Sequence, residues 1–239
     1  MEQIKASLSR LRLPGMAACL KTLEETRGMH ELSFPDGLRL LLQAETDHRE
    51  AHRLERLVKN AAFRYRASIE ELAFDAARGV EQSQLITLAT GSYIRNGEAI
   101  LITGATGCGK SFLATALGMQ ACRQGYTVVY HNMQKLMARF KMARLEGNCI
   151  SLFDKLAKTD LLIVDDFGLA SMDHQQQLDW MEIIEDRHGR KASIIASQLP
   201  VAKWFDVFKE ETVADAILDR IVHTSHRFEL KGESLRKKR

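Results

Sequence analysis

The sequence predicts an α/β protein: a small helical module followed by a layered core on a central parallel five-stranded sheet. Three observations carry that reading. The first seventy or so residues show only helical periodicity. From about residue 97, short apolar runs alternate with helical patterns, and the first of these runs ends in the glycine-rich string GATGCGKS. The segments between runs are long enough for the crossover helices that parallel pairing requires. The expected domains are therefore 1–70 and 71–239.

Taken in order, Ile4, Leu8 and Leu11 share one helical face, and beyond the break at Pro14-Gly15 a second face holds Met16, Cys19, Leu20 and Leu23. Ser33 and Pro35 open a longer helix, with proline in its first turn. Leu38, Leu41 and Leu42 begin its apolar stripe, and Leu54, Leu57, Val58 and Ala61 extend it. Arg49, Arg53 and Arg56 fall together on a different face. Residues 72–96 are expected to join the two parts. Strands are predicted at Ala99–Thr103, Thr127–His131, Leu161–Asp165, Ser193–Ser197 and Arg227–Leu230, with helices covering both sheet faces.

Composition bounds the function. The chain has 239 residues, 45% of them hydrophobic and 27% charged, which is ordinary for a globular protein. No apolar stretch approaches the ~20 residues that span a bilayer, and no signal peptide is evident, so no membrane partner and a cytoplasmic location are expected. Cys19, Cys108, Cys122 and Cys149 lack metal-ligand spacing, and Cys108 inside the glycine-rich loop fits a reducing compartment. The formal net charge is +3, but its distribution says more: basic residues gather at 49–66 and in the final KGESLRKKR. Such clusters engage polyanions or form a solvated helix face and a frayed tail.

Gly104, Ala105, Thr106, Gly107, Cys108, Gly109, Lys110 and Ser111 match G-x-x-x-x-G-K-[ST] in full. Glycines let backbone N–H groups curl around a phosphate, and the following helix adds its positive end. Lys110 is expected to neutralise the β- and γ-phosphates of a bound nucleotide, and Ser111 to ligate Mg²⁺. The apolar AILIT before the loop and the helix-forming FLATALGMQAC after it set the motif between a strand and a helix.

LLIVDDFG supplies the second half of the site. Its apolar residues make a central strand, and ligands bind beyond the C-terminal ends of such strands. Asp165 is expected to hold Mg²⁺ opposite Ser111. Asp166 stands where a water-activating glutamate is common, one methylene shorter. A misplacement of about 1 Å can cost on the order of 100-fold in rate, so hydrolysis should be slow in the isolated subunit.

With the phosphate loop, LLIVDDFGL, IIASQLP, ILDRIVHTSHRFEL and LKGESLR in that order, the chain resembles the IstB-type transposition helper ATPases. These are AAA+ proteins related to DnaC-like helicase loaders. The likeness extends to LRLPGMAACL near the N-terminus and covers nearly the whole chain. It implies a P-loop AAA+ core, ATP hydrolysis with Mg²⁺, and ATP-driven homo-oligomers on duplex DNA with little sequence preference. It also implies a partner transposase that the assembly recruits or activates, with the N-terminal domain serving partner or DNA contact.

By the same resemblance, Gln198 takes the sensor-1 position, with Ser197 beside it as the rival. Arg220 matches an arginine finger supplied to a neighbouring subunit, the alternative being a surface salt bridge with Asp219 or Asp215. Arg236 matches a sensor-2 arginine, or else belongs to a basic tail. On the predicted helix within 134–147, Lys135, Arg139, Lys141 and Arg144 either line a DNA channel or are solvated, with Leu136, Phe140 and Leu145 packed inward. A DnaC-like helicase loader is the alternative function. A small-molecule kinase is disfavoured because no arginine-rich lid follows the central strands, and a nucleotide-dependent interaction module without useful hydrolysis is the third reading.

Overall fold

Proline and a buried carboxylate set the first helical corner. The chain enters a left-handed turn at Arg12 (φ 57°), and Pro14, whose ring fixes φ, occupies the first turn of the second helix. The computed structural model describes residues 2–26, 32–72 and 78–234. It divides into two compact units, Met1–Arg56 and Leu57–Arg239.

In the first unit, α1 (Glu2–Arg10) and α2 (Pro14–Glu25) precede α3 (Phe34–Ala61), whose residues up to Arg56 belong to this unit. Glu45 of α3 is 5% exposed. Its carboxylate accepts from Gly15 N (2.8 Å) and Met16 N (3.2 Å), satisfying donors that the start of α2 leaves open. A Cβ at Gly15 would stand 2.5 Å from the Ala44 carbonyl oxygen, so only glycine permits this crossing. Lys5 bonds Glu24 at 2.7 Å and ties α1 to α2. Ser33 opens α3 as expected, its hydroxyl accepting from Asp36 N at 3.3 Å. The stripe foreseen on α3 is buried unevenly: Leu38 and Leu42 are 45% and 50% exposed, whereas Leu57 and Ala61 are buried.

The second unit is the layered core. Among the described residues its five strands are β1 (Ala99–Gly104), β2 (Val128–Asn132), β3 (Leu161–Phe167), β4 (Ala192–Ser197) and β5 (Ser225–Leu230). All pair in parallel, in the order β2-β3-β4-β1-β5. The central strands are buried on both faces, which is why they read as continuous apolar runs. Edge strand β5 instead alternates buried and open positions and is correspondingly fainter in the sequence.

Helices α6 (Lys110–Arg123), α4 (Gln82–Ala89) and α5 (Ser92–Asn96) cover one face. The other face carries α7 (Met133–Leu145), α8 (Cys149–Lys158), α9 (His174–Arg187) and α10 (Glu211–Val222). Trp180 and Trp204, both fully buried, pack there around Phe167, with ring centroids 5.8 and 4.7 Å away. The stretch 72–96, expected to join the two parts, belongs to the core from residue 78 onward. Leu85, Leu88 and Tyr93 are almost wholly buried, because α4 and α5 close the sheet face beside α6.

Arg187 fastens the layers near the strand starts. It is 2% exposed and donates to the carbonyls of Leu156, Thr159 (2.9 Å) and Ala192 and to the Ser193 hydroxyl (3.1 Å). Burial pulls its pKa down to about 9, which is still charged at neutral pH.

Candidate functional site

β1 ends at Gly104 and α6 begins at Lys110, so the glycine-rich loop wraps the C-terminal edge of the sheet beside the strand-order reversal. Gly104, Gly107 and Gly109 all have positive φ. A Cβ at Gly107 would lie 2.2 Å from the Ser234 hydroxyl, so the close approach of residue 234 also requires glycine there. Lys110 is 6% exposed, and its ammonium donates to the Gly104 and Ala105 carbonyls, both at 2.8 Å. The loop's own oxygens thus hold the charge that a phosphate can take over. The unpaired N–H groups at the start of α6 add a positive dipole end.

β3 supplies the opposite wall. Its register with β4 runs Val164↔Ile195 and resumes at Phe167↔Ser197, so Asp165-Asp166 form a bulge with one extra residue. Bulges re-aim side chains at strand ends. Asp166 takes φ 59°, a left-handed conformation that aspartate tolerates better than most residues. Its carboxylate accepts from Asn132 Nδ2 at 2.9 Å, which pins it across to β2. Asp165 is 1% exposed; it accepts from Asp166 N at 2.9 Å and from the Tyr130 hydroxyl. Both donors are neutral, and among the described residues no lysine, arginine or histidine pairs with this carboxylate. A buried carboxylate supported only by neutral donors suits a cation.

Two tyrosines beside these groups escaped the sequence reading. Tyr130 lies on β2, and burial, followed by its bond to Asp165, holds its phenol far above the usual range, so it remains a donor. Tyr65 lies on the segment after α3, its ring stacked on Phe112 at 6.2 Å and its hydroxyl within reach of Ser111 and Thr115. Burial, the larger cause, and the Asp165 charge raise its pKa. Nothing in the sequence paired Tyr130 with Asp165. Nor did the RYRAS stretch signal a return to α6.

The structure separates the two sensor candidates. Ser197 is fully buried and committed to backbone, donating to Phe167 O (2.7 Å) and accepting from Leu199 N (3.0 Å). Gln198 reaches the glycine-rich loop, where its carbonyl accepts from the Thr106 hydroxyl at 2.7 Å. Lys110, Ser111, Asp165, Asp166 and Gln198 therefore gather at one edge, around the ends of β1, β3 and β4.

Arg220 sits on α10 and bonds Glu185 of α9 at 2.6 Å and its own helix at Ala216 O, 2.7 Å. The acidic partners foreseen were Asp219 and Asp215; the partner is Glu185, because α10 packs along α9, and Asp219 faces His223 at 3.1 Å. Arg236 lies outside the described residues. On α7, Leu136 and Phe140 are fully buried as expected, but Leu145, the last residue of the helix, is 76% exposed. Arg144 pairs with the buried Asp179, while Lys135, Arg139 and Lys141 remain exposed. Among the described residues no helix is long and apolar enough to cross a membrane.

The profile described as IstB-like ATP binding protein matches residues 6–239. An insertion sequence ATP-binding protein of Sinorhizobium fredii, y4pL, is 39% identical over 230 residues, covering 96% of this chain and 94% of the relative. The IS1162 ATP-binding protein of Pseudomonas fluorescens is 41% identical over 196 residues, covering 82% and 85%. Among solved structures, the crystal structure of DnaI superposes with a TM-score of 0.60 at 16% identity, covering 70% of this chain and 92% of that one, a likeness of fold. The chain belongs to the IstB-like ATP-binding family.

Proposed function

We propose that this family member is an ATPase that assembles on duplex DNA as an ATP-bound homo-oligomer and recruits or activates a partner transposase. One observation carries the enzymatic part. A glycine-rich loop between strand and helix, a buried carboxylate with no cationic partner among the described residues, and a polar strand-end side chain converge at the edge where doubly wound sheets bind ligands. The insertion-sequence relatives support the transposition role.

In this reading the loop N–H groups and Lys110 bind the β- and γ-phosphates of ATP, Lys110 exchanging its carbonyl partners for phosphate oxygens. Ser111 and Asp165 would hold Mg²⁺, which supplies charge neutralisation on the phosphates when bound. Asp166 orients the attacking water and accepts its proton, and Gln198 reads the γ-phosphate position through its bond to Thr106. Arg220 leaves Glu185 to serve a neighbouring subunit's phosphates, and Arg236 serves its own. The helical N-terminal domain makes the partner or DNA contact.

Single-turnover phosphate release, measured with and without duplex DNA, tests the proposal. Lys110→Ala should abolish nucleotide binding and ATP-driven assembly. Arg220→Ala should bind ATP normally yet lose about 10³-fold or more in assembled-state turnover. Absence of phosphate release under every condition would overturn the enzymatic reading.

A further inference from the structure

We propose that a basic groove in the N-terminal unit is a seat for the phosphodiester backbone of duplex DNA; this rests on the DNA-binding reading above and names the residues that perform it. The groove encloses about 510 Å³ between the corner carrying Arg12 and the α3 face carrying Arg49, Arg53 and Arg56. All four arginines are exposed. They converge from two segments of chain, which a plain solvated helix face does not require.

The geometry leaves the groove positive. Among the described residues its one lining carboxylate is Glu45, which is buried and already receives Gly15 N, Met16 N and Arg49 Nε (2.7 Å). Arg49 thus answers Glu45, and among the described residues neither Arg12 nor Arg56 has an acidic partner within 4.0 Å. His48 and His52 line it too, edge to face with centroids 4.4 Å apart, and His52 Nδ1 faces Glu55 at 3.4 Å.

The layout suits a repeating anion. Arg49 to Arg56 covers about 10 Å of helix axis at ~1.5 Å per residue, and Arg12 stands on the facing wall. Guanidinium forks match phosphate oxygens, and a row of them grips a backbone without reading its bases. An acidic protein would want an apolar or aromatic anchor at the centre of its interface. Among the described residues Pro14 is the one apolar residue lining the groove, so the backbone of a nucleic acid is the better fit.

The test uses the full chain with an ATP analogue and a mixed-sequence duplex, titrated by fluorescence anisotropy across a salt series. Arg12→Gln with Arg56→Gln removes one cation from each wall. The slope of log affinity against log salt should become shallower by about 1.8 per protomer, and affinity near 0.1 M salt should fall at least about 60-fold relative to the 1 M extrapolation. Nucleotide affinity and helix content should stay at wild-type values. If the wild type binds DNA and the double variant keeps its slope, the groove is not the seat, while the function reading stands. A variant that keeps its DNA slope but fails to retain a transposase equally overturns the groove as a DNA seat. A wild type that binds no DNA refutes the function reading itself.

Discussion

Replacing Asp166 with asparagine separates chemistry from conformation at the least regular point of the site. The backbone there is left-handed, at φ 59°. Such a conformation costs ordinary L-residues roughly 1–2 kcal/mol and asparagine or aspartate less. Asparagine keeps the volume, and its amide oxygen can still accept from Asn132 Nδ2, now at 2.9 Å from the carboxylate. Stability should therefore change by no more than about 0.5 kcal/mol, and ATP binding should be untouched. What disappears is a carboxylate able to take a proton from water, a role worth about 10²–10⁴-fold. Phosphate release in a single turnover on DNA, read beside a melting curve, should show that loss with the fold intact. Normal turnover in Asp166→Asn would refute the water-activating role and reduce Asp166 to a bulge-forming residue. Asp166→Glu is the informative companion: it lengthens the arm but is expected to lose about 1 kcal/mol to the backbone, so the added methylene carries a conformational penalty.

Two further outcomes follow from buried groups. Tyr130→Phe removes one of two neutral donors to Asp165, so the Mg²⁺ midpoint for tightening a fluorescent ATP analogue should rise about 10–100-fold, with kcat at saturating Mg²⁺ nearly unchanged; an unmoved midpoint contradicts the positioning role. His131 is pulled down to about 4 by burial, then by Arg139 and Lys155, so below pH ~6.5 the unfolded chain binds a proton that the folded chain refuses. Stability is thus lost as pH falls from ~6.5 toward 4, about 1–2 kcal/mol by pH 5. Urea midpoints at pH 7 and pH 5 should show a smaller drop for His131→Asn than for the wild type, and equal drops would refute the assignment.

Burial and steric necessity made part of this protein legible in one dimension. A strand buried on both faces must be apolar throughout, so β1, β3 and β4 announce themselves, and a loop that bends around phosphate must carry glycine where its backbone takes positive φ. Those constraints act residue by residue, and local pattern records them. Other features depend on which segments meet. The extra residue at Asp165-Asp166 exists only relative to β4, and Tyr130 becomes a partner of Asp165 only because β2 lies beside β3. Ser197 and Gln198 are neighbours in the chain; the direction each side chain takes at the strand end decides that one bonds backbone and the other the loop. Arg220 meets Glu185, not an aspartate of its own helix, because α10 packs along α9. Hydrogen bonds and ion pairs act over a few ångströms of space with no regard for distance along the chain, so only the folded arrangement could choose them.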